Sequence, residues 1–374
     1  RRQAVLRVAL RLAIPQLVSV IGLTFAQMVT GVMVVENLFA LPGLGSMLVT
    51  DVGNRDLTAV QSELFLLAAF FLFLGLLVDL LHRMLDPRLK NATIGSGAFM
   101  NDRMHALRVV LQSMWNRAGG RYALIVMGLW LLVSAISLAW TPYSLLATDG
   151  FNTWGSPSSA HLLGTDGVGA DVLSWLMAGS RTNLMIAVLT VAVSAAFGLL
   201  LVAAMVSRHG AFSSVSVVVV DALISIPTVL ALILSVPFGA SAVVIVVACG
   251  FAYGLNLARI LRPSAPLAAR SAYVESAIWS GAGPIRVFFT HIVPNTLPVL
   301  SVQLSMSAGT SLLAEAGLTY LGVGVGAGVP SWGHSLATSV RFISIHPLAV
   351  VWPGLVVTLV VIALNLFGDA LRDA

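Results

Sequence analysis

The sequence predicts an all-α polytopic membrane protein. Of its 374 residues, 58% are hydrophobic and only 9% are charged, where a soluble domain carries about 25%. Its apolar residues gather into eight runs of roughly membrane-spanning length. None of these runs alternates with a period of two, so helices, which satisfy every backbone group internally, are the only spanning form open to them.

In order, the expected spans are 13–35, 60–81, 122–141, 183–206, 215–235, 239–258, 296–321 and 347–368. Pro15, Pro227, Pro298 and Pro353 fall within them and are tolerated in membrane helices, where they introduce kinks. The isoelectric point near 10.0 does not indicate nucleic acid, because the basic residues are parcelled out between apolar runs. With a cytoplasmic N-terminus, 17 of the 20 lie inside: Arg1, Arg2, Arg7 and Arg11, seven between 82 and 121, Arg208, four between 259 and 295, and Arg372. Only Arg55, Arg181 and Arg341 fall outside. This positive-inside bias places both visible termini and the 259–295 loop in the cytoplasm.

The chain repeats itself in one direction. Pro15, Glu36 and Gly43 match Pro294, Glu315 and Gly322, each 279 positions on. Each copy then runs to an acidic end, Val78-Asp79-Leu80-Leu81 and Gly368-Asp369-Ala370-Leu371. The expected organisation is the last two spans of a first unit (1–82), a basic linker (83–121) and a complete six-span unit (122–374). Met104 to Leu111 in the linker reads as an amphipathic helix along the inner surface. The start at Arg1-Arg2, with no methionine and no signal peptide, suggests a chain whose upstream part is not shown.

Three groups of residues stand out. The first is Ala258-Arg259-Ile260-Leu261-Arg262, leading to Glu275-Ser276-Ala277, Gly281 and Pro294. The second is His161-Leu162-Leu163-Gly164-Thr165-Asp166, followed by Gly169 and Asp171. The third is Leu313-Ala314-Glu315-Ala316-Gly317 through to Pro330-Ser331-Trp332-Gly333. Together they resemble the second-permease type of dipeptide, oligopeptide and nickel ABC importers. Glu36-Asn37-Leu38-Phe39, Leu41-Pro42-Gly43-Leu44-Gly45 and Leu85-Asp86-Pro87-Arg88 resemble the end of the first-permease type. The resemblance implies the ABC type I importer permease fold. It also implies two cytoplasmic ABC ATPase subunits, an extracytoplasmic substrate-binding protein, and a bacterial or archaeal inner membrane. Two departures are visible: Ser276 replaces the middle alanine of the usual Glu-Ala-Ala triplet, and the first unit's coupling loop is represented only by Arg1–Leu12.

The resemblance assigns ATPase coupling to Arg259, Glu275, Ser276, Ala277, Gly281 and Pro294. The residues themselves predict two short helices meeting at Gly281-Ala282-Gly283-Pro284, with glycine allowing the reversal and Pro284 opening the second helix. Glu275 would either pair with a nearby arginine or touch the motor. On the outer side, His161, Gly164, Thr165, Asp166, Asp171 and Trp332 are expected near the binding protein. Glu36 and Glu315, intramembrane acids and pseudo-symmetric mates, are candidates for the translocation path, against a packing role. Asp221 is a further acid at a span's inner end.

No metal, cofactor or nucleic acid is expected. The seven histidines are scattered without close i, i+4 pairs. Cys249 alone cannot form an internal disulfide and reads as a small buried residue. The Gly322–Gly328 run lacks the strand–helix setting of a phosphate loop, and the sole lysine is Lys90, so a Walker A motif is absent and ATP hydrolysis belongs to separate subunits. An intramembrane protease would need a nucleophile–base pair, and no histidine lies deep in a run. The runner-up is an ion-coupled secondary transporter, which Glu315, Asp221 and the repeats favour and the coupling loop opposes.

Overall fold

Caps and turn residues set where the helices begin. In the computed structural model, the described residues are 36, 41–54, isolated positions to 70, 110–207, isolated positions from 213 to 223, 241–320, and 324–373 apart from 327. Two compact units are distinguished. One holds residues 1–101 with 221–230, and the other residues 102–220 with 231–374. The expected spans 13–35, 60–81 and 215–235, the linker helix up to 109, Arg1–Leu12, Asp79, Asp221, Leu85–Arg88 and Gly322-Val323 lie wholly or largely outside the described residues.

In the first unit, α1 covers Leu44–Gly53. Its start is fixed from both sides. The Ser46 hydroxyl accepts from Gly43 N at 3.0 Å, and Glu36 Oε2 accepts from Gly45 N at 2.8 Å and Ser46 N at 3.3 Å. A carboxylate here meets two otherwise unpaired amides and the positive end of the helix dipole.

The second unit contains α2 (Ala118–Ala139), α3 (Val172–Met205), α4 (Ala242–Leu261), α5 (Ser264–Ala269), α6 (Ala272–Trp279), α7 (Pro284–Val287), a π-helical turn (Phe288–Ile292), α8 (Val293–Tyr320), α9 (Trp332–Val340) and α10 (Leu348–Asp373). Among the described residues, five stretches are long and apolar enough to cross a bilayer: Ala118–Ala139, Val172–Met205, Ala242–Leu261, Pro284–Thr319 and Leu348–Arg372. They correspond to five of the eight expected runs.

Two starts differ from expectation. Helix α3 begins eleven residues earlier than the apolar run at 183, because Asp171 caps it: Oδ2 accepts from Ser174 N at 2.8 Å and Ser174 Oγ at 2.6 Å. Such a cap contributes about 1 kcal/mol. Arg181, counted above in an outside loop, therefore lies within α3, and its Nη1 donates to Ser137 O at 3.0 Å. Likewise, the run expected at 296 is already helical from Pro284.

Around α3 the core has two lobes. One joins Trp130, Leu176, Ala187, Ala308, Leu312, Trp332, Val357 and Leu364; the other joins Ile186, Ile245, Cys249, Tyr253 and Leu318. Helices α3 and α4 pack the most extensively, and glycine makes this possible. A Cβ on Gly254 would lie 3.1 Å from Ser194 O, one on Gly198 2.9 Å from Gly254 O, and one on Gly250 2.5 Å from Val193 Cγ1. Membrane helices associate through such close backbone approach, since lipid offers no hydrophobic drive between them. The opposite side of the bundle stays apolar and exposed at Ile125, Leu129, Leu132 and Leu138 on α2, as a lipid-facing helix requires.

The repeat needs a new register after its glutamates. The 279-residue offset pairs Gly43-Leu44-Gly45 with Gly322-Val323-Gly324, yet Gly324 lies in non-helical chain. The segment that starts the corresponding short helix is Ser331-Trp332-Gly333. Pro42 and Pro330 each stand two residues before the helix, and Gly45 and Gly333 are each its second residue. The second copy carries nine more residues between its glutamate and this helix.

Candidate functional site

The 259–295 segment forms a compact helical loop with two unlike faces. Ala265, Val274, Val287, Phe288 and Ile292 are buried, which anchors the loop to the base of α8. Glu275 and Ser276 are exposed, and three large apolar side chains project: Trp279 (90% exposed), Ile285 (75%) and Phe289 (60%). Trp279 lies outside the candidate spans and Ile285 and Phe289 in the first turns of Pro284–Thr319, at the loop; large apolar groups so exposed beside a charged loop mark an interaction surface. An open groove of about 430 Å³ runs beside them, lined by Ala277, Ser280, Gly281, Ala282, Arg286, Thr290 and His291.

The expected pair of short helices is present, and its turn has a definite mechanism. Helix α6 ends in a Schellman motif. Ala282 N donates to Ala277 O at 3.0 Å and Gly281 N to Ile278 O at 2.9 Å, with Gly281 at φ +86°. A left-handed residue at this point is what the motif needs, and glycine provides it without strain. Pro284 then opens α7 at its first position, where a missing N–H costs nothing. Glu275 sits in the first turn of α6, favourably placed against the dipole, and forms no ion pair with the described residues. Arg259 is exposed at the end of α4.

Pro294 explains the π turn. Proline cannot donate to the carbonyl four residues back and its ring crowds that carbonyl; here this is Thr290 O. The ladder widens there, with Val293 N bonded to Phe288 O five residues earlier, a known accommodation of proline within a helix. Asn295 Nδ2 then ties the loop to the helix, donating to Tyr273 Oη at 2.6 Å and His291 O at 2.8 Å. The 284–319 rod is thus one piece of helix that starts in the loop.

The second expected group lies at the other end of α3. His161 Nδ1 is 3.0 Å from Asp171 Oδ1, and Tyr143 packs on the His161 ring at 4.6 Å. Thr165 Oγ1 accepts from Gly155 N at 2.7 Å, and Asp166 Oδ1 accepts from Val168 N at 2.9 Å and Ala170 N at 2.8 Å. Gly164 and Gly169 take φ of +82° and +76°. These side chains build the loop; Thr165 and Asp171 are themselves buried. The exposed groups it presents are Leu146, Phe151, Leu162 and Val168. Trp332, expected at the outer mouth, is at this end but only 1% exposed. It packs on Trp130 at 5.7 Å and donates from Nε1 to Leu176 O at 2.9 Å. Its part is internal packing. His334 is stacked on Trp175 at 5.7 Å; burial lowers its basicity below the usual 6.5, and the nearby Asp166 partly opposes this.

Glu315 is fully buried. It accepts from Asn183 Nδ2 at 3.0 Å and Thr319 Oγ1 at 2.9 Å, and Gly333 packs against its carboxyl, where a Cβ would lie 2.7 Å from Oε2. Asn183 Oδ1 in turn accepts from Trp332 N at 3.0 Å. In this conformation the acid lines no open path, and the packing role is the one its contacts describe.

Sequence reasoning passed over three groups that carried readable signals. Gly250 and Gly254 stand four apart in an apolar run. Asn183 is an amide within a span. Trp279 is a large aromatic in a charged loop.

The sequence matches the family described as binding-protein-dependent transport system inner membrane component, over residues 1–91 and 194–374. It is 38% identical over 263 residues to a probable peptide ABC transporter permease protein of Sinorhizobium fredii NGR234, covering 69% of this chain and 90% of that one. To the dipeptide transport system permease of Escherichia coli K12 it is 35% identical, covering 71% and 92%. To the nickel transport system permease of the same strain it is 31% identical, covering 70% and 94%.

Proposed function

Because this chain belongs to the binding-protein-dependent transport inner membrane component family, we propose that its 259–295 loop is the contact through which ATPases drive import of a peptide or similar small solute. The chain is a multi-pass membrane permease of an ABC importer, and partner subunits hydrolyse the ATP. The observation that carries the coupling role is the exposed apolar triad Trp279, Ile285 and Phe289 beside a groove, on a loop whose other face is anchored to a membrane helix. Glu275, Ser276, Ala277 and Gly281 lie on or beside this surface, Arg259 is exposed at the end of α4, and Pro294 sets the joint behind it.

Two ATPase subunits engage the complex from the cytoplasm, in line with the charge bias that places both visible termini there. An extracytoplasmic binding protein delivers substrate to the end carrying the 141–171 loop. Peptide is the favoured cargo, as the names of the relatives support. The chain comprises the end of one permease unit, a linker and a complete second unit. The two separate stretches matched by the family and the repeated glutamate-to-helix arrangement support this division. ATP binding in the partners biases the permease between two states to which substrate access differs.

Uptake into proteoliposomes holding the permease, its ATPases and the binding protein separates this from ion-coupled transport. The expected result is uptake of a radiolabelled dipeptide or oligopeptide that requires ATP on the ATPase side and is indifferent to an ionophore. Uptake that persists without ATP and collapses with the ionophore would contradict it.

A further inference from the structure

Two carboxylates of this chain lie against the start of a short helix. Glu36 accepts the amides of Gly45 and Ser46 at the start of α1. Glu315 lies against Gly333 at the start of α9; Asn183 and Thr319 hold its oxygens, and Asn183 Oδ1 accepts the Trp332 amide of the same helix start. In both places glycine makes room for the acid. A Cβ on Gly43 would lie 2.2 Å from the Glu36 carboxyl, and one on Gly333 2.7 Å from Glu315 Oε2. The arrangement survives a nine-residue difference in the intervening loop. Proximity in sequence therefore does not create it.

The helix carrying Glu315 has a second property. From Pro284 it runs without interruption out of the coupling loop. Glu315 lies 22 residues beyond Val293, or about 33 Å along the axis. At that end α9 packs on the start of α3 through His334 and Trp175. One rod thus has the groove of the coupling loop at its base and, at its top, a hydrogen-bonded link through Asn183 to a separate short helix.

We propose that Glu315 is a positioning residue that latches α9 to the top of α8, so that movement imposed on the coupling loop is delivered to the outer face; Glu36 latches α1 in the same way. The proposal rests on the importer reading given above. A carboxylate suits this task because it accepts several donors at once and is favoured at a helix N-terminus. Through it α8 and α9 move as a unit, although a loop of eleven residues separates them in sequence.

The test uses the assembled importer with Cys249 replaced by alanine and a reporter cysteine at Ile343, which is 51% exposed beyond α9. Labelling by a membrane-impermeant maleimide is measured at rest and after trapping with ATP and vanadate. With Glu315 intact, the two rates differ about fivefold, the low end of ordinary coupling. Glu315→Ala abolishes the difference while basal ATPase activity stays within about twofold. Glu315→Gln, which keeps the shape and one accepting oxygen, retains part of it. Gly333→Ala, which crowds the carboxylate without altering it, weakens the difference as well. A purely structural role would instead lower the yield of complex and leave the state-dependent difference intact in what assembles. ATP-driven uptake with an undiminished labelling difference in any of these variants that assembles would overturn the latch alone. Failure of the unsubstituted complex to import with ATP would overturn the importer reading, and the latch with it.

Discussion

Replacing Gly281 by proline abolishes substrate-stimulated ATP hydrolysis in the assembled complex, while the permease still inserts in the membrane. Proline holds φ near −65°, and position 281 requires +86°. It also removes the Gly281 N–H that bonds to Ile278 O. The Schellman turn therefore cannot form, and α6 loses its fixed direction relative to α7. Both the Trp279 side of the surface and the groove lined by Ala277, Gly281 and Arg286 are displaced. The expected loss of stimulation is at least about tenfold, equivalent to 1.4 kcal/mol of coupling, because misplacement of this surface affects every contact at once. Gly281→Ala serves as the graded control. Nothing lies within 4 Å of a Cβ there, so its cost is backbone strain alone, about 1–2 kcal/mol, and stimulation is reduced without being lost. Unchanged stimulation in Gly281→Pro would remove the coupling role from this loop. The spans are remote from the substitution, so the amount of inserted protein is expected to stay the same.

Gly254→Leu acts on the fold itself and is expected to prevent recovery of stable permease. Its Cβ would meet the Phe197 ring at 2.9 Å and, behind it, two backbone atoms of α3, the Ser194 carbonyl at 3.1 Å and Gly198 N at 3.2 Å. A side-chain rotation cannot relieve that contact, so α3 and α4 must separate. Overpacking costs about 1–3 kcal/mol where neighbours yield, and here the neighbour is a helix backbone. Separation also disturbs the lobe formed by Ile186, Ile245 and Cys249. Thermal aggregation of the detergent-solubilised protein measures the effect. A midpoint equal to that of the parent would show that the close approach is dispensable. Gly283→Leu is the matched control, because nothing lies within 4 Å of a Cβ at that position.

Much of the coupling loop was legible because its geometry is local. A glycine before Gly-Pro marks a reversal wherever it occurs, and Tyr273 to Ser280 carried enough helical pattern to identify α6. Pro294 announced a disturbance, although composition alone does not distinguish a kink from a π turn. Span boundaries were less legible where they are set by caps rather than by hydropathy. Asp171 starts α3 well before the apolar run at 183, so Arg181 belongs to a helix and not to a loop. The glutamates were found as intramembrane acids, but their partners were hidden. Gly333, which packs against Glu315, lies beyond a glycine-rich loop whose length differs between the copies. A constant offset therefore pointed to Gly322. The role of Trp332 depended on tertiary packing against Trp130 and Leu176, which no local pattern encodes.

The claim that the 259–295 loop receives the ATPases is tested most directly by a cysteine at Ser276, an exposed position on α6, in the Cys249→Ala background. The account predicts that a short bifunctional reagent joins this cysteine to an ATPase subunit, and that an impermeant maleimide added to intact cells leaves it unlabelled. A cysteine that forms no such adduct and reacts fully from outside the cell would contradict both the orientation and the contact.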